Sequence, residues 1–342
     1  MSERLEDIAA KMVAPGKGIL AADESTGTIK KRFDTIGLQS TEDTRRDYRE
    51  MLFRSEEAIR DCISGVILFE ETLYQRAADG THLVDLITAA GAVPGIKVDK
   101  GAKVLAAYPG ETVTEGLDGL RERLDTYYDA GARFAKWRGV IAISDSLPTD
   151  YAIRANAHAL ARYAVLCQEQ GLVPIVEPEV LMDGEPGTHS IDRCAQVTDA
   201  VLTAVFEALH EARVMLEGMI LKPNMVIDGK NARKASVNEV ADRTLKVLRE
   251  TVPSAVPGIT FLSGGQSDEE ATAHLSAMNA RGGEIPWPLT FSYGRALQAA
   301  ALKAWGGKAA NVPAAQAAFT HRAKMNALAA RGEWSPEREQ AA

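Results

Sequence analysis

LVPIVEPEV at residues 172–180, IDRCAQVTDAVLTAVFEALHEA at 191–212 and GMILKPN at 218–224 decide the fold. The first and third are short apolar runs. The second repeats apolar residues three and four positions apart over about six turns. Strand, amphipathic helix and strand in that order make a parallel unit, because the helix must carry the chain back across the sheet. Working outward, comparable runs stand at 18–23, 65–69, 93–99 and 134–140 upstream, and at 258–265 and 289–296 downstream. Helical patterns such as DTRRDYREMLFRSEEAIRD (43–61) and GLDGLRERLDTYYDAG (116–131) fill the intervals. Eight strands with centres about 30 to 45 residues apart predict an α/β fold of the closed (β/α)8 kind, the TIM barrel, rather than an open sheet.

No low-complexity linker divides the chain, so a single domain over residues 1–342 is expected, with a helix ahead of the first strand. ALQAAALKAWGG (296–307) supplies the last barrel helix and PAAQAAFTHRAKMNALAARG (313–332) an extra C-terminal one. Residues 332–342 read as a loose polar tail.

Composition excludes several function classes. A formal net charge of -8 is wrong for a nucleic-acid surface, which needs clustered excess Lys and Arg, so any phosphate must meet a local basic site. Cys62, Cys167 and Cys194 show no CxxC spacing, which predicts reduced core thiols and neither disulfides nor a thiolate zinc site. The opening MSERLEDIAAKMVAPG has no apolar targeting core, and no apolar run approaches a membrane span. These features predict a cytoplasmic protein without a membrane partner.

The strands carry charges that a doubly covered barrel strand should not hold. Asp23 ends the first; Lys97 and Asp99 lie in the third, Lys136 and Arg138 in the fourth, Glu177 and Glu179 in the fifth. Lys222 lies in the sixth and Arg295 in the eighth. A lone buried charge costs several kcal/mol against a total stability of about 5 to 15 kcal/mol. Side chains alternate along a strand, so each of the three pairs shares one face. If that face is the barrel interior near the C-terminal strand ends, the pairs converge where barrel active sites are built. Four acids against five bases then nearly neutralise one another and leave a slight bias toward an anionic substrate.

Two glycine-rich turns, FLSGGQS after the seventh strand and SYGRA after the eighth, extend the pattern. Glycine frees backbone N–H groups for a phosphate, and the Arg295 guanidinium on the neighbouring loop adds a charge-assisted clamp. GKGILA (16–21) fits a loose dinucleotide-binding pattern, but its glycines precede a strand instead of opening a helix, so no nicotinamide cofactor is expected. The six histidines are scattered and show no HxxxH or HxE spacing, so no catalytic metal is expected.

An amine desolvated in a pocket beside other cations gives up its proton more readily and can attack a ketone; the protonated imine is then an electron sink. Lys136 and Lys222 both qualify, and spacing does not choose between them. The flanks of Lys222 (Met219, Ile220, Leu221, Pro223) are the more apolar, which leans the reading toward Lys222.

Through LAADESTGTIKKR, GVILFEETLYQ, GIKVDKG, FAKWR, VPIVEPE, LKPNMV, TFLSGGQS and LTFSYGRALQAAALKAWGG, the chain resembles the class I fructose-bisphosphate aldolases over nearly its whole length. The resemblance implies reversible cleavage of fructose 1,6-bisphosphate through a lysine imine in glycolysis, without metal or cofactor, by a cytoplasmic homotetramer. It implies that Lys222 forms the imine, Glu177 is the acid/base of dehydration supported by Glu179, Asp23 takes the C4 hydroxyl proton, and Lys136 stabilises charge. It also implies that Ser263, Gly264, Gly294 and Arg295 hold one phosphate. Ser25, Thr28 and Lys97, with Lys31 and Arg32 near them, would serve the other end, and Arg138 would be a further substrate-site residue. The chain departs from animal members in reading Phe69-Glu70-Glu71 where they have FHE, and in Thr28 where serine is usual. Two rivals are a Schiff-base barrel acting on another sugar phosphate, and a dead scaffold, which would be expected to lack Lys222, Glu177 or Asp23.

Overall fold

The computed structural model describes residues 3–184, 186–281, 283 and 285–340, and its eight barrel strands are all parallel. They are β1 (Gly18–Ala22), β2 (Ile63–Leu68), β3 (Val93–Lys97), β4 (Phe134–Ile141), β5 (Val173–Val180), β6 (Ile220–Leu221), β7 (Ile259–Phe261) and β8 (Leu289–Tyr293). Each pairs with its neighbours in sequence, and β1 pairs with β8 to close the cylinder. All eight strands expected from the sequence are there, and the (β/α)8 barrel forms one domain. β6 is the shortest: Lys222 still donates its backbone N–H to Val176 O at 2.8 Å, and Pro223, which has no N–H to give, ends the ladder.

Strand alternation sorts the core into two. Leu20, Val66, Ala135, Trp137, Val176 and Leu221 face the covering helices and join the large outer core. The opposite parity, Ile19, Ile67, Phe134, Val173, Ile175 and Ile220, packs with Ile8, Ala9 and Met12 of the helix Leu5–Met12. That helix plugs the N-terminal end of the cylinder. Two strand glycines make room for the plug's aromatic: a Cβ at Gly95 would overlap the Phe134 ring, and one at Gly65 would press on it at 3.1 Å. Hydroxyl caps start the covering helices, as where Ser190 Oγ accepts the Arg193 N–H ahead of Ile191–Glu211.

Two features differ from expectation. An antiparallel hairpin, Ala102–Val104 with Thr112–Thr114, interrupts the path from β3 to β4; strands of three residues are too short to show a period. It is anchored beside β4 where Thr114 Oγ1 donates to Arg138 O at 2.7 Å, and Asn156 Nδ2 donates to Thr112 O at 2.8 Å. The stretch from residue 332, expected to be loose, is tied down as far as it is described. It forms the short helix Pro336–Gln340, Trp334 Nε1 donates to Glu339 Oε2 at 2.8 Å, and Glu339 pairs with the buried Arg322. The reason is long-range: Arg322 lies on the extra helix Val312–Ala329 and needs an anion, which a local reading of a polar tail cannot anticipate.

The three cysteines are free and buried, as expected. Among the described residues no helix is long and apolar enough to cross a membrane.

Candidate active site

A cavity of about 810 Å³ opens over the C-terminal ends of the strands, and every site residue named from the sequence except Lys31 lines it. The parity argument holds in space. Lys97 pairs in register with Lys136 on β4, and Arg138 with Glu177 on β5, so the charged pairs stand side by side on the inward face. Asp23 follows β1 and Lys222 follows β6, which brings them to the same rim. Arg32 lines the cavity as well, whereas Lys31 is exposed and does not.

Two ammonium groups and two carboxylates form the centre. Lys136 Nζ is 2.6 Å from Asp23 Oδ2 and 3.3 Å from Glu177 Oε2; Lys222 Nζ is 3.1 Å from Glu177 Oε1. Glu177 therefore bridges the two lysines, one carboxylate oxygen to each. Lys136, Glu177 and Lys222 are each at most 4% exposed. Burial opposes charge on Asp23, but Lys136, Lys222 and Lys97 outweigh it and hold its carboxyl well below the usual range. Glu177 follows the same logic: burial pushes it up, and Lys136, Lys222 and Arg138 bring it below its ordinary value. Burial alone would lower Lys136, yet Asp23, Glu177 and Asp99 raise it, so it is locked as an ammonium. Arg138 is held charged against burial by Glu179, with which it pairs.

The rim carries the groups suited to anionic ends. Ser25 caps the helix Thr26–Asp34, its Oγ 3.1 Å from Thr28 Oγ1. Lys97 pairs with Asp99 and also donates to the Asp99 carbonyl at 3.0 Å. Across the mouth, Gly294 starts the helix Arg295–Trp305 with no side-chain cap, leaving first-turn N–H groups for an anion. Glycine at 264 is a matter of space, since a Cβ there would sit 2.9 Å from Glu179 Oε1. Because β1 neighbours β8, Arg32 lies close to Gly294, Nη2 being 3.5 Å from where a Cβ would stand. Arg32 thus sits between the two groups that the sequence reading kept apart.

Some participants escaped the sequence reading. Asp99 was visible as a strand-end charge, but its part, fixing Lys97 while accepting the Gly101 N–H at 3.1 Å, emerges only in space. Glu24, buried one residue after Asp23, pairs with Arg32 and accepts from Gln298 Nε2 at 2.9 Å, and Arg49 donates to its carbonyl at 2.8 Å. Adjacency to Asp23 was its one local signal. Gln298 is remote in sequence and had none. Among the described residues no three His, Cys, Asp or Glu side chains group to hold a metal ion.

The family profile "Fructose-bisphosphate aldolase class-I" matches residues 4–342. The chain is 56% identical over 334 residues to a "Probable fructose-bisphosphate aldolase class 1" of Xanthomonas axonopodis pv. citri, covering 97% of this chain and 98% of the relative. It is 56% identical over 326 residues to "Fructose-bisphosphate aldolase 6, cytosolic" of Arabidopsis thaliana, covering 95% and 90%. Among solved structures it is similar to fructose-bisphosphate aldolase from Plasmodium falciparum, in a complex with TRAP and a small-molecule inhibitor. The TM-score is 0.93 at 51% identity, over 97% of this chain and 95% of that one.

Proposed function

Because the chain belongs to the class I fructose-bisphosphate aldolase family, we propose that Lys222 is the amine that forms an imine with the substrate ketone. The chain is a lyase that cleaves fructose 1,6-bisphosphate to dihydroxyacetone phosphate and glyceraldehyde 3-phosphate in glycolysis. The observation that carries the choice of lysine is the asymmetry of the centre. Lys136 is clamped as a cation between Asp23 and Glu177, whereas among the described residues Lys222 has one carboxylate partner, Glu177, 3.1 Å away.

The chemistry follows from those contacts. An ammonium at Lys222 passes a proton to Glu177 Oε1, and the neutral amine attacks C2 of the ketone. Glu177 returns that proton to the carbinolamine hydroxyl, which departs as water and leaves the iminium. Asp23 takes the C4 hydroxyl proton, the C3–C4 bond breaks, and its electron pair flows into the iminium to give the enamine. Lys136 stays charged beside Asp23 and balances the negative charge that moves through the site. Protonation and hydrolysis of the enamine imine release dihydroxyacetone phosphate. Glu179 holds Arg138 against the site wall. Ser263, Gly264, Gly294 and Arg295 bind one phosphate; Ser25, Thr28 and Lys97 bind the other end, with Arg32 close to both.

A homotetramer in the cytoplasm is part of the same reading, supported by family membership and by relatives named cytosolic; light scattering of the purified protein tests the assembly. Borohydride added during turnover tests the imine. Reduction should fix substrate phosphate on the peptide containing MILKPNMV, and Lys136→Met should still be trapped. Label on Lys136 with Lys222 unmodified would reverse the two roles.

A further inference from the structure

Arg295 is oriented by something other than its own strand and helix. Its Nη2 donates to the backbone carbonyl of Gln266 at 2.6 Å, across from β8 to the turn after β7. Gln266 closes that turn, its N–H donating to Ser263 O at 3.1 Å, so the peptides offering Ser263 and Gly264 to the cavity end on this residue. A carbonyl in a glycine-containing turn is a poor anchor unless its peptide plane is fixed, and Gly265, with φ +72°, leaves the preceding link pliable. The fixing contact comes from behind. Gln266 is 3% exposed, and its Oε1 is 2.6 Å from Nδ1 of His274, which is 7% exposed on the helix Asp268–Ala280.

We propose that His274 is a positioning residue for phosphate recognition: it pins the Gln266 side chain, Gln266 presents its carbonyl to Arg295, and the Arg295 guanidinium is thereby aimed into the cavity. His274 touches neither substrate nor reacting atoms. Burial brings the imidazole down to about 4, so at neutral pH it is uncharged, and Nδ1–H is its donor to the amide oxygen. Anchoring one guanidinium N–H on a carbonyl leaves the remaining donors of the fork for an anion. The proposal rests on the reading that Arg295 binds substrate phosphate, and it adds what sets that side chain's direction.

The test is a double-mutant cycle on the full-length enzyme, with KM and kcat for fructose 1,6-bisphosphate as readouts. Arg295→Ala should raise KM roughly tenfold, and His274→Leu about fivefold, with kcat within about twofold. His274→Asn, whose Nδ2 falls near the Nδ1 position, should restore KM. In the Arg295→Ala background His274→Leu should add nothing, because its effect passes through the missing guanidinium. An unchanged KM in soluble, folded His274→Leu beside a raised KM in Arg295→Ala would overturn the positioning role and leave the phosphate reading standing. So would an undiminished His274 effect in the double variant. An unchanged KM in Arg295→Ala would remove Arg295 from the site, and this inference with it. Should His274→Leu not fold, His274→Phe compared with His274→Asn makes the same decision.

Discussion

The two ends of the barrel interior are built from the same strands at the same parity, and they are filled in opposite ways. On β4, Phe134 belongs to the apolar plug, and Lys136 and Arg138, two and four residues on, belong to the charged layer. On β5 the change falls between Ile175 and Glu177. Below, burial of apolar surface against the helix Leu5–Met12 stabilises the fold at about 25 cal/mol per Å². Above, burial opposes the charge on Asp23, Lys136 and Glu177, and mutual ion pairing offsets it. The contrast shows a division of labour within one core: the lower layer holds the cylinder rigid, so that the upper layer can keep four charged groups at fixed distances without itself being a source of stability.

Breaking each half should have opposite signatures. Lys222→Met should lower kcat at least about a thousandfold, because the covalent step has no substitute, with a smaller stability change than any plug truncation. Met12→Ala, in the plug and not among the residues that line the cavity, should cost about 2 to 5 kcal/mol and leave the KM of the folded enzyme unchanged. Urea midpoints and steady-state kinetics on the two proteins read both quantities. A Met12→Ala enzyme with normal stability and impaired turnover would erase the distinction.

Acid should separate the halves more gently. Asp23 and Glu177 are held below their ordinary values, so the stability they contribute is complete above the unfolded carboxylate range near 4 and is lost as pH falls through and below it. Between about pH 5 and about pH 2 the wild-type urea midpoint should therefore fall more steeply than that of Asp23→Asn. Met12→Ala should keep the wild-type slope. A steeper slope for Asp23→Asn would contradict the assigned direction. The smallest effect is expected from excess EDTA, which should leave cleavage unchanged, since the electron sink is a lysine imine; activity lost on chelation and regained with zinc would defeat the mechanism.

Much of this was legible in the chain because it is periodic or misplaced. FAKWRGV and LVPIVEPEV show their parity and their charges within a few residues, so the strand, the face and the strand-end position of Lys136, Arg138, Glu177 and Glu179 follow without knowledge of neighbours. The hairpin at Ala102–Val104 and Thr112–Thr114 was not legible, being shorter than the window a period needs. Nor were Gln266 and His274, an amide in the turn after β7 and an imidazole on the helix that follows, or Glu24 and Gln298, which meet from opposite ends of the chain.

By itself, then, the sequence determined the closed barrel and which side chains enter its charged layer, because alternation and the cost of buried charge act strand by strand. Only the tertiary structure decided how those charges pair: that Glu177 faces both lysines, that Lys136 rather than Lys222 meets Asp23, and that Arg32 reaches the Gly294 side of the mouth. Coulomb energies depend on distances between strands far apart in sequence, and those distances exist only once β1 has closed against β8.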